Sequence, residues 1–128
     1  MKKLSTILVC LLTATIAFAA SPKLKVEQIF NGRYNDEKGV TTTIVERSAN
    51  YYRTMTIRNN SSLIKKIIAA IEQDKPRSKD YTDHHDNNMR YICLKVLNNG
   101  EVITIGLQTN KAYDSGVFFI QGKMKAFK

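Results

Sequence analysis

Cysteine is scarce in this chain, with two among 128 residues, and histidine is equally scarce. Cys10 sits in an apolar leading segment, so the remainder of the chain holds Cys93 alone. One thiol closes no internal disulfide, and the fold has to rest on its hydrophobic core even in an oxidising compartment. The two histidines, His84 and His85, are neighbours in sequence, so any imidazole chemistry is confined to one short segment. No Gly-rich phosphate loop follows a strand, no G-x-S-x-G elbow occurs, and no paired carboxylates stand at a spacing that fixes both on one face. Phosphate-cradling, serine-hydrolase and glycosidase readings therefore have no support. Internal repeats, low-complexity tracts and interdomain linkers are missing as well, which leaves a single domain.

What the chain does have begins with a leader. Lys2 and Lys3 form a basic head, residues 4–18 are apolar apart from Ser5, Thr6, Thr13 and Thr15, and Ala17-Phe18-Ala19 is an A-x-A cleavage site. This pattern predicts a secretory signal peptide over residues 1–19, too short and wrongly flanked for a spanning helix. A lipobox at Cys10 would need a small residue before it, and Val9 stands there. Cleavage after Ala19 leaves residues 20–128 as one α+β domain of ordinary size, with no second apolar stretch long enough to cross a bilayer. The formal charge of +9 falls to +7 once Lys2 and Lys3 are lost. The basic residues are spread along the chain, which suits solubility, with polyanion binding as the alternative.

The periodicities outline the fold. Val26, Ile29 and Phe30 at i, i+3, i+4 predict a short helix over about 24–31, stopped by Asn31-Gly32. A polar turn at 35–39 leads to a β-branched strand over 40–46 and, after Ser48-Ala49-Asn50, to a second strand over 51–58. Asn60, Ser61 and Ser62 are competent caps for a helix over 61–73, whose stripe is Leu63, Ile64, Ile67, Ile68 and Ile71 and which Pro76 bounds. Residues 75–88 carry almost no apolar side chains and read as a long surface loop. Asn99-Gly100 is the preferred type I′ pair, and a turn centred there matches Val96 with Ile103, Leu94 with Ile105 and Ile92 with Leu107. A last strand over 117–120 follows a turn at 110–116. The sum is an antiparallel sheet of about five strands with helix 61–73 packed on one face.

Two constellations could carry function. Tyr51, Tyr52, Arg53 and Arg58 interleave rings with cations and could stack on a sugar or an anionic ligand. Alternation sets Tyr52, Thr54, Thr56 and Arg58 on the face away from Met55 and Ile57, and that face is the candidate surface if no second layer covers it. Asp83, His84, His85 and Asp86 are the one cluster of metal-ligand types. Adjacent residues rarely converge on one ion, so a solvated polar segment is the plain reading and a metal-assisted enzyme the alternative. Cys93, mid-strand opposite Gly106, reads as a packed residue rather than a nucleophile.

The runs Val26-Glu27-Gln28-Ile29-Phe30, Lys38-Gly39-Val40-Thr41-Thr42-Thr43-Ile44-Val45 and Phe118-Phe119-Ile120-Gln121-Gly122, with the aliphatic helix between them, resemble small exported domains of unknown function from Bacteroidetes. The resemblance implies a diderm periplasm or cell surface and brings no activity, cofactor or catalytic residue. The expectation is an exported, non-catalytic binding domain with a protein or glycan partner in the cell envelope. No cofactor is expected and nucleic acid is not an expected partner. A metal-assisted enzyme and a basic polyanion or glycan binder are the alternatives.

Overall fold

The computed structural model describes residues 24–30 and 37–127. The expected leader, Cys10, the Asn31-Gly32 stop and the start of the 35–39 turn lie outside those residues. In chain order the elements are α1 (Lys25–Phe30), β1 (Val40–Arg47), β2 (Asn50–Ile57), α2 (Ser61–Asp74), a 3₁₀ turn (Lys75–Arg77), β3 (Ser78–His85), β4 (Met89–Asn98), β5 (Glu101–Asn110), β6 (Gly116–Lys123) and a closing 3₁₀ turn (Met124–Phe127). The strands form one antiparallel sheet in the order β1-β2-β6-β5-β4-β3. The α+β class is as expected, but the sheet has six strands rather than five. The sixth is β3, built from residues expected to loop. An edge strand has only one neighbour and buries little, so it carries no apolar alternation; β3 is held by its backbone pairing to β4, with Tyr81 alone of its side chains packed on the core.

Local chemistry explains the other elements. The Leu63 amide donates to Asn60 Oδ1 at 3.0 Å, making Asn60 the cap of α2. At the β4–β5 turn Asn99 and Gly100 take φ values of 50° and 78°, the positive pair that a type I′ turn requires. The register that follows pairs Val96 with Ile103, Leu94 with Ile105 and Ile92 with Leu107, as the sequence predicts. Ser48 and Ala49 also take positive φ, 48° and 67°, in a two-residue turn that joins β1 to β2 and that neither residue type advertises.

Both helices contribute to the apolar cluster that covers one face of the sheet. Leu63, Ile64, Ile67 and Ile71 of α2 join Met55, Ile57, Ile92, Leu94, Val96, Ile103, Ile105, Leu107, Phe118 and Ile120 in one buried cluster. Phe30 of α1 stacks on Phe118 with ring centroids 4.5 Å apart. No helix among the described residues is long and apolar enough to cross a membrane.

The two helices are tied together by a buried carboxylate. Asp74, 2% exposed at the end of α2, accepts the amides of Lys25 at 3.1 Å and Val26 at 3.0 Å. A carboxylate at the C-terminus of its own helix is badly placed for that helix's dipole, but here it meets the orphan donors of another helix. Asp74→Ala should lower the unfolding free energy by about 2–3 kcal/mol, because it strands buried amide donors. Asp74→Asn, which keeps an acceptor oxygen, should cost less. Urea titration of the three proteins reads the order.

Candidate functional site

Among the described residues, nothing covers the face of the sheet opposite the helices. Register places Val45, Tyr52, Gln121, Thr104 and Lys95 in one row across β1, β2, β6, β5 and β4. The next row runs Thr43, Thr54, Phe119, Gly106 and Cys93. A side-chain carbon at Gly106 would stand 2.3 Å from the Phe119 ring, so the bare glycine is what allows Phe119 to lie across β5. Cys93 is half-buried beside it. A hydrogen bond with that thiol, then burial, push the Tyr91 phenol above its usual range.

Apolar side chains gather on this face. Among the described residues the exposed large hydrophobics are Ile44, Val45, Tyr52, Leu97, Val102 and Val117, and all but Ile44 point to the open side. At one end an open trough of about 440 Å³ is lined by Tyr52, Thr104, Gln121, Asn50, Glu101, Val102 and Lys123, together with Tyr51 and Gly122.

Strand alternation divides the aromatic-basic quartet. Tyr52 stands on the open face, beside the trough. Tyr51 and Arg53 share the parity of Met55 and fall on the helix face. Tyr51 is buried against Phe127 with centroids 4.6 Å apart. The Arg53 guanidinium lies 5.1 Å from the Tyr51 ring and 6.0 Å from the Phe30 ring, where it closes the rim of the core. Arg58 is exposed just past β2, and its amide donates to the Gly39 carbonyl at 2.9 Å. The four residues are therefore not one platform.

The acid–histidine quartet is divided in the same way. Asp83 and His85 lie on the helix side of β3, where His85 Nε2 is 3.1 Å from Asp83 Oδ1. His84 projects to the open side, 4.0 Å from Asp86. Arg90 grips Asp83 through both oxygens, Nε to Oδ1 at 3.0 Å and Nη2 to Oδ2 at 2.7 Å. That bidentate bond holds the Asp83 carboxyl below the usual carboxylate range. Asp86 accepts the amides of Asn88 and Met89 and shapes the β3–β4 turn, and these bonds lower its carboxyl too. Among the described residues no three His, Cys, Asp or Glu side chains converge as metal ligands do.

The sequence profile of one family, a family of unknown function designated DUF6108, matches residues 13–124, which takes in both helices and all six strands. The chain belongs to that family. No curated protein and no solved structure matches it.

Two features of this DUF6108 chain escape a reading by motif. The apolar fringe of the open face is built from single residues on five strands, so it emerges only once sheet order is known. Asp74 offers only a faint sign, an acid where a helix end prefers a base.

Two measurements test the polar groups. Asp83 ionises more readily in the folded chain, so its contribution is complete above the ordinary carboxylate pKa of about 4 and fades as pH falls through the lowered folded value. Asp83→Asn should therefore cost no more than about 1 kcal/mol at pH 7, as befits a solvent-facing pair, with the gap to wild type closing in acid. A gap that grew on acidification would contradict the assignment. Replacing His84 and His85 together by alanine should leave the zinc content of purified protein unchanged by mass spectrometry. Stoichiometric zinc removed by that pair of changes would establish a metal site there.

Proposed function

We propose that this DUF6108 chain is an exported, non-catalytic binding domain that docks a protein of the cell envelope on the open face of its sheet. The observation that carries the reading is the gathering of Val45, Tyr52, Leu97, Val102 and Val117 on one uncovered face. Tyr52 and Val102 line one trough, with Val45 paired to Tyr52 and Leu97 to Val102, while Val117 stands at the far end of β6. An apolar group of this kind on an uncovered face is the mark of an interaction site, where residues scattered singly are not. Six strands of eight to ten residues present roughly 700 Å² at ordinary strand spacing, close to the share each partner gives to a standard interface. Aliphatic residues outnumber exposed rings in this set, which favours a protein over a sugar chain, since sugars stack on aromatic faces. The leader of Lys2, Lys3, the apolar 4–18 stretch and Ala17-Phe18-Ala19 supports export.

The test is photo-crosslinking in cells with a benzophenone amino acid at Tyr52, Val102 or Val117, against Lys65 and Gln73 on the exposed side of α2. Adducts of defined mass should form from the sheet positions and not from the helix positions. A protease-resistant adduct would identify a glycan instead. Adducts from neither face, or equally from both, would sink the reading.

A further inference from the structure

The two edges of the sheet are built differently. β3 is guarded: its pairing slips at Ser78/Asp80, and Lys79, Asp80 and Asp83 charge it. These are the devices by which proteins stop an edge from recruiting another strand. β1 lacks the slip, and its charges are confined to its last two residues, Glu46 and Arg47. It pairs with β2 over all eight residues and contains no proline. Ile44 is 52% exposed on the helix side and Val45 43% exposed on the open side, so the edge is apolar on both flanks.

The direction of the β1 backbone follows from its turn. Arg47 and Asn50 flank the two-residue loop and face one another as its closing pair. At the other end the Arg58 amide donates to the Gly39 carbonyl. Odd-numbered residues from 39 to 47 thus turn their amides and carbonyls toward β2, and those of Ile44 and Glu46 point away from the sheet.

We infer that β1 is a self-association edge, on which a second copy of this chain adds its own β1 antiparallel about a two-fold axis at Val45. In this register Ile44 of each copy exchanges both backbone hydrogen bonds with Glu46 of the other, and Val45 meets its own symmetry mate. Arg47 falls opposite Thr43, so like charges do not meet. A second copy is the occupant because the segment is complementary to itself: its outward donors and acceptors are satisfied by the same five residues inverted, Val45 meets Val45, and no like charges oppose one another. The axis stands perpendicular to the sheet, so the two open faces lie on the same side. They join through an apolar row of Tyr52, Val45 and their mates into one surface of twelve strands. Val45 is common to the seam and the docking face, but Ile44 lies on the helix side and belongs to the seam alone, so a change there tests the edge without altering the face.

Sedimentation velocity over a wide concentration range tests the edge. Wild-type protein should shift from one chain toward two as concentration rises, a modest affinity that befits a short seam. Ile44→Pro removes only an outward amide and leaves the β1–β2 ladder complete, and it should abolish the shift. Ile44→Glu, which sets a carboxylate opposite Glu46 of the other copy, should do the same with an unchanged melting temperature, and it covers the case of a proline variant that folds poorly. A wild-type protein that stays a single chain at every concentration would overturn the proposal, as would dimers that persist in both variants. A single-chain protein whose β1 amides become protected only with a foreign peptide would assign the edge to a different partner and overturn it equally.

Discussion

Sealing a sheet on one side and not the other is the constraint from which the remaining features follow. Two helices of fourteen and six residues are all that the described chain can place over six strands. They are spent on the middle of one face, where Leu63, Ile64, Ile67 and Ile71 close over Met55, Ile105 and Phe118. Each such side chain contributes about 1.5–3 kcal/mol when fully buried, before the entropy of ordering it is counted. Phe30 on Phe118 and the Asp74 carboxylate on α1 keep the short helix in place over that centre. Among the described residues no helix is left for the back of the sheet or for its rims, and the exposed apolar residues are found there.

This division explains what could be read from the residues alone. Where one side of an element is buried, the pattern is strong and the reading is accurate. The α2 stripe, a cap among Asn60, Ser61 and Ser62 that falls to Asn60, and the register around Asn99-Gly100 all follow from apolar spacing and turn chemistry. Where burial is slight, the pattern fails. β3 is polar because a rim strand touches the core only through Tyr81, so composition alone makes it look like a loop. Sheet order was hidden for another reason: pairing β6 with β2 is a long-range choice that leaves no local trace.

The candidate sites suffered from the same geometry in a sharper form. Residues adjacent in a strand point to opposite faces. Tyr51 and Tyr52 are parted by a sheet, as are His84 and His85, so two compact-looking motifs divide into four separate environments. The rings and guanidinium on the inner side were absorbed into core closure, Tyr51 on Phe127 and Arg53 beside Tyr51 and Phe30. Tyr52, on the outer side, is left facing solvent among residues brought from distant parts of the chain.

The strand that joins the sheet comes last. β6 lies between β2 and β5, and beyond it Met124 donates its amide to Ala49 while the Ala126 carbonyl accepts from Asn98 and Asn99. The hairpin of β1 and β2 and the meander of β3, β4 and β5 can each form as the chain lengthens, yet without residues 116–123 they share no ladder. A single sheet therefore waits for residues 116–123, and until they pair with β2 and β5 the two ladders remain unjoined halves.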